Sequence, residues 1–119
     1  MREIQYTYHK IADNEAELAF QQNGIAVIEV KGRKICVAAH AGSLFAFAYK
    51  CPHAAGLLAN GWIDLKGNVV CPLHQYKFSM ATGRNVTGEG YYMKRWPVEL
   101  RGEEIWVGLE AGGGLFGWL

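Results

Sequence analysis

The chain is poor in net charge, in cysteine and in long apolar runs, and each shortage removes a class of function. Twelve Lys and Arg against eleven Asp and Glu leave a formal charge of +1. No large basic face is implied, so nucleic acid is not an expected partner. No stretch approaches the ~20 apolar residues needed to cross a bilayer, and the opening Met1-Arg2-Glu3-Ile4-Gln5 is charged. Neither a membrane anchor nor a signal peptide is expected. Three cysteines cannot build a disulfide framework, which fits a reducing cytoplasm. Nothing repeats internally. The one biased segment, Ala111-Gly112-Gly113-Gly114, leads into Leu115-Phe116-Gly117-Trp118-Leu119. That apolar tail is a liability in water unless it docks, and residues 111–119 are read as flexible.

What is present suits one domain over residues 1–119, with half of the residues hydrophobic. Turn signals at short intervals separate β-rich runs, the pattern of an all-β sandwich or barrel. Gln5 to His9 reads as a first strand. Asn14-Glu15-Ala16-Glu17 has capping-box form and Gln21-Gln22-Asn23-Gly24 a stop signal, so a short helix is expected near 14–21. Ile25 to Lys31, Lys34 to Ala41 and Leu44 to Lys50 read as consecutive hairpin strands joined at Gly32-Arg33 and Gly42-Ser43. Trp96, Val98 and Leu100 alternate with Glu99 and Arg101, and Ile105, Val107 and Leu109 alternate about Glu104. Two strands with one buried face each are expected there.

The chemistry lies between these two sets of strands. Cys51-Pro52-His53 and Cys71-Pro72-Leu73-His74 each pair a thiol with an imidazole, and seventeen residues separate His53 from Cys71. Proline after each cysteine biases it toward extended backbone, leaving the turn to the residues that follow. Zinc sites commonly pair like with like, as C-x₂₋₄-C and H-x₃₋₅-H. Here each loop mixes the two ligand types, which suits a [2Fe–2S] cluster in which two histidines replace two cysteines on one iron. The candidate ligands are Cys51, His53, Cys71 and His74, with residues 51 to about 90 inserted as a cluster-binding subdomain. His9 and His40 read as surface or strand histidines and Cys36 as a packing residue. Trp62, Trp96 and Trp106 read as core or hairpin residues, with Trp96 beside Pro97 a candidate to approach the cluster loops.

These loops, together with Asn60-Gly61-Trp62-Ile63-Asp64, Val69-Val70 and Gln75 through Ser79, Ala81-Thr82-Gly83, and Lys94 through Leu100 with Ile105-Trp106-Val107, resemble the Rieske iron–sulfur family over roughly residues 22–109. The resemblance is to the stand-alone ferredoxin branch, similar to dioxygenase ferredoxin components and to the small subunit of NADH-dependent nitrite reductase. It implies a Rieske fold in which Cys51 and Cys71 bind one iron and His53 and His74 the other. It also implies one-electron transfer from a flavoprotein reductase to a terminal oxygenase or reductase, with no catalytic residue on this chain. A Rieske oxygenase would need a further two-His-one-carboxylate iron site, for which only His9 and His40 remain. Respiratory members carry two further cysteines where this chain has Gly56 and Leu73. They also carry hydroxyl donors where it has Tyr76 and Phe78. Fewer hydrogen bonds to the sulfurs imply a potential toward the low end of about −150 to +300 mV. The imidazoles are expected nearest the partner, within an apolar rim of Leu57, Leu58 and Leu73.

Overall fold

The computed structural model describes residues 4–53 and 56–111. Ten strands are present among them: β1 (Tyr6–Ala12), β2 (Ile25–Val30), β3 (Arg33–His40), β4 (Ser43–Ala48), β5 (Trp62–Ile63), β6 (Asn68–Val70), β7 (Lys77–Ser79), β8 (Arg95–Trp96), β9 (Val98–Arg101) and β10 (Glu104–Glu110). They form three antiparallel sheets, ordered β1-β10-β9, β2-β3-β4-β8 and β5-β6-β7. The all-β expectation holds, and the apolar tail lies outside the described residues.

The sheet β2-β3-β4-β8 is central because both of its faces are covered. Along β3 successive side chains point to opposite faces. Ile35 and Val37 join Ala26, Ala46, Trp96, Ile105 and Val107 in the core between the two larger sheets. Cys36 and Ala38 join Ile25, Phe47, Leu58, Val69, Phe78 and both loop cysteines in a second core, toward β5-β6-β7. Burial on both sides is why β3 reads as the unbroken apolar run Ile35-Cys36-Val37-Ala38 rather than as an alternation. Two tight turns set its register, pairing Val30 with Arg33 and His40 with Ser43. Their central residues, Lys31-Gly32 and Ala41-Gly42, all take positive φ, the type I′ form that matches strand twist.

Several expectations change. The helix near 14–21 is a single 3₁₀ turn, Glu15–Glu17. The Asn14 side chain makes no cap hydrogen bond, while the Glu17 carboxylate accepts from the Asp13 N–H at 2.7 Å. Only half of the capping box forms, displaced by one residue. Leu18 then turns to extended backbone, which lets its side chain reach the core between the larger sheets. Leu100, expected on a buried face, is 62% exposed although its cross-strand neighbour Ile105 is 1% exposed. β9 is an edge strand, and the core does not extend under its end. Of the two places expected for Trp62, it takes the hairpin, pairing with Val70 while 41% exposed.

Candidate metal centre

The two loops are built alike. Lys50 bridges Leu57 across the first and Val70 pairs with Lys77 across the second. Within them the Cys51 N–H donates to the Gly56 carbonyl and the Cys71 N–H to the Tyr76 carbonyl, each at 2.8 Å. Each bond closes a cysteine onto the carbonyl at the far side of its own loop. The two imidazoles are then offset by one place, third in the first loop and fourth in the second. In the second loop the chain reverses through two left-handed residues, His74 at φ 70° and Gln75 at φ 59°. Non-glycine residues rarely adopt this conformation without an over-determining surrounding.

Donor atoms of Cys51, His53 and Cys71 lie within 4.8 Å of one another. His53 Nδ1 is 2.7 Å from Cys51 Sγ. His74 is not part of this group; its ring is exposed, with Nδ1 3.4 Å from His53 Nε2. The cysteines are buried at the base of the loops and the imidazoles stand progressively further out. Two thiols and two imidazoles on facing loops fit the donor set of a mixed-ligand [2Fe–2S] cluster. The backbone leaves room beside the sulfur as well. A Cβ at Gly56 would come within 2.9 Å of Cys71 Sγ and 3.0 Å of Leu73 Cβ, so any side chain there would press on that sulfur.

The remaining candidates lie elsewhere. His9 pairs with Val107 in the first sheet. The His40 ring lies against Gly67, where a Cβ would approach its Cδ2 to 2.7 Å. Cys36 is fully buried, and loss of solvation pushes its thiol up to about 12. It stays a packing residue. Trp96 does not approach the loops: it lies in the core between the larger sheets, and its indole N–H donates to Glu110 at 3.1 Å. Leu58 is buried and cannot form a rim. Leu57 and Leu73 do line a shallow depression, with Gly56, Asn60 and Pro72. Phe78 is buried in the same core as both loop cysteines.

Sequence reasoning missed a third wall. The Asn85 side chain, 7% exposed, donates to the Lys77 carbonyl at 3.0 Å and to Thr87 and Glu89 oxygens at 3.0 and 3.1 Å. Its own Oδ1 accepts from the N–H groups of Glu89 and Gly90 at 2.6 and 2.9 Å. Thr87 also donates to the Glu89 carboxylate. That hydroxyl, the Asn85 amide and its own backbone N–H hold the Glu89 carboxyl below its ordinary value, against the opposing effect of desolvation. The latched segment carries Tyr91, whose ring stacks near Tyr76 (6.1 Å, 24°). Tyr76 in turn lies 4.0 Å from the His53 ring. The signal available in the sequence was weak: Asn85, Thr87 and Glu89 at alternate positions ahead of a tyrosine pair.

Residues 9–93 match the Rieske [2Fe-2S] domain family. The chain belongs to that family. A [2Fe–2S] cluster is therefore its cofactor. Among characterised Rieske relatives, the ferredoxin component of the naphthalene 1,2-dioxygenase system of Pseudomonas aeruginosa is 25% identical over 101 residues, covering 84% of this chain and 96% of that one. Among solved structures, the ferredoxin of carbazole 1,9a-dioxygenase from Nocardioides aromaticivorans superposes with a TM-score of 0.72 at 24% identity, covering 85% and 96% of the two chains. A structure described as a putative NADH-dependent nitrite reductase small subunit from Mycobacterium tuberculosis gives a TM-score of 0.74 at 16% identity, covering 91% and 99%. No helix among the described residues is long and apolar enough to cross a membrane.

Proposed function

We propose that this Rieske protein is a cytoplasmic one-electron carrier that passes electrons from a flavoprotein reductase to a terminal oxidoreductase such as a ring-hydroxylating dioxygenase. Its cluster is held by Cys51, His53, Cys71 and His74. The observation that carries the reading is the convergence of Cys51, His53 and Cys71 donors within 4.8 Å, with His74 beside His53. When bound, the cluster accepts and returns one electron. The cysteines hold it from the buried side, and the imidazoles occupy the solvent side, where a partner can approach. Residues 51 to about 90 act as the cluster-binding part of a single domain, and substrate chemistry belongs to the partner.

Protein purified aerobically should be brown, with two irons and two acid-labile sulfides per chain. On reduction it should give the rhombic electron paramagnetic resonance signal of mixed His/Cys ligation. A colourless protein holding one zinc would overturn the reading. Phe78 brings no hydroxyl to the buried cysteines, which favours a potential low in the Rieske range. Potentiometry should find it there, and Phe78→Tyr should raise it if the new hydroxyl reaches a sulfur. A wild-type value high in the positive range would show that other donors compensate.

The exit face is proposed at the loop tips. Leu73, 39% exposed, with half-buried Leu57 offers a small apolar surface of the kind brief redox encounters use. Leu73→Glu should slow stopped-flow electron delivery to the natural partner while leaving the cluster's spectrum unchanged. A second reading, the small iron–sulfur subunit of a nitrite reductase, is supported by the likeness to the putative Mycobacterium tuberculosis subunit across 99% of its length. Co-purification separates the two: a flavoprotein reductase with an oxygenase supports the first, a sirohaem enzyme the second.

A further inference from the structure

A metal-bound imidazole can still turn about its bond to the metal, so something else must fix its plane. The usual device is a hydrogen bond from the second ring nitrogen to a carboxylate, a backbone carbonyl or water. His53 has no such carboxylate or carbonyl acceptor among the described residues. Its Nδ1 faces Cys51 Sγ and its Nε2 faces His74 Nδ1, and both partners belong to the proposed ligand set. What does hold the ring is a face. The Tyr76 ring lies 4.0 Å from it at an interplanar angle of 42°, and Tyr91 lies 5.8 Å from it and stacks near Tyr76.

We propose that Tyr76 is a positioning residue that fixes the imidazole plane of His53 by ring contact, with Tyr91 flanking both rings. This rests on the cluster assignment above. The backbone supports the role, because the Tyr76 carbonyl is tied to the Cys71 N–H, so the tyrosine of the second loop is anchored beside one ligand while its ring abuts a ligand of the first. Asn85 gives Tyr91 a fixed mount through its bonds to Lys77, Thr87, Glu89 and Gly90. His74 is held far less closely. Its ring is exposed and its centroid is 6.1 Å from Tyr76. The two imidazoles are therefore unequally constrained, and the inequality should be visible in the spectrum.

The test is pulsed electron paramagnetic resonance on reduced protein with ¹⁵N-labelled histidine, comparing wild type with Tyr76→Leu, Tyr76→Phe and Tyr91→Leu. Wild type should show one narrow and one broad nitrogen coupling. Tyr76→Leu should broaden the narrow one, Tyr76→Phe should retain it because the ring is kept, and Tyr91→Leu should broaden it less. Loss of the cluster to a chelator should quicken roughly two- to tenfold in Tyr76→Leu, the range expected of one aromatic contact, and little in Tyr76→Phe. If Tyr76→Leu assembles no cluster, normal assembly in Tyr76→Phe supports the ring's role, and failure of both overturns it. Unchanged couplings in Tyr76→Leu and Tyr91→Leu overturn it too. A wild-type protein lacking the mixed His/Cys signal would instead remove the cluster assignment itself, so the two failures are distinguishable.

Discussion

The base and the tip of this protein balance the same forces differently. In the base, strands of four to eight residues such as β2, β3, β4 and β10 bury Ile35, Val37, Ile105 and Val107 between two sheets. At the tip, β5, β6 and β7 have only two or three residues each, too few to sustain a sheet alone. Val69 and Phe78 still bury against the central sheet, and side chains bonded to backbone supply what the short ladders do not. The Asp64 carboxylate accepts from Lys66 and Asn68 N–H groups, both at 2.9 Å. Asn23 ties the Ala59 and Gly61 carbonyls at 2.9 Å each, and Asn85 ties the segment from Lys77 to Gly90. The base rests on burial between long strands, whereas the tip shares a buried core with the central sheet and adds a polar frame around its two loops.

The largest test of that division removes the cofactor. Cys71→Ser should abolish iron incorporation if the proposed ligand set is right, because a thiolate would be lost and the loops no longer joined through metal. Amide hydrogen exchange should then lose protection in β6, β7 and the 84–91 segment while β3 and β10 keep theirs. Equal loss in both regions would show a single cooperative unit. Next in size is Ile35→Ala, a buried truncation expected to cost about 2–5 kcal/mol. Denaturant melts followed by far-ultraviolet circular dichroism should register it as global destabilisation, since Ile35 lies in the core between the larger sheets. Asn85→Ala should cost about 1–3 kcal/mol, because a buried side chain loses several hydrogen bonds, to the Lys77 carbonyl and to the Glu89 and Gly90 N–H groups, at about 0.5–1.5 kcal/mol each. That loss should appear as local opening around Thr87 to Tyr91, with the exchange of β10 unchanged.

Legibility in the sequence follows the same division. β2, β3, β4 and β10 were readable to within a residue or two, because long apolar runs and Gly-containing turns carry a strong signal. β1 was readable as a strand but extends to Ala12, three residues beyond the expected end. Leu100 misled because alternation reports which way a side chain points and not whether a layer lies beneath it. Asn14-Glu15-Ala16-Glu17 misled because a capping pattern states a local preference, and Leu18 was needed in the core. Cys51, His53, Cys71 and His74 stood out because mixed ligand pairs at fixed spacing are rare. The residues flanking them did not, since Tyr76, Asn85 and Tyr91 meet only through the fold.

The smallest expected effect probes whether the base has any polar latch of its own. Glu110, at the end of β10, accepts from the Trp96 indole at 3.1 Å and pairs with Lys94. Partial burial alone would raise its carboxyl, but the Lys94 hydrogen bond, its own backbone N–H, Trp96 and the Lys94 charge together hold it below the usual value. A carboxyl lowered in the folded state stabilises above its unfolded pKa, and that contribution fades as pH falls through the folded value. Glu110→Gln should therefore cost about 0.5–1 kcal/mol at pH 7, kept small because the Lys94 side chain is 54% exposed and the pair is screened. The difference between variant and wild type should shrink toward zero as pH falls below the ordinary carboxyl value of about 4.3 and through the lower folded one. A difference that persists once the carboxyl is protonated in both states would place the effect in packing around Trp96 rather than in charge, and the base would then rest on burial alone.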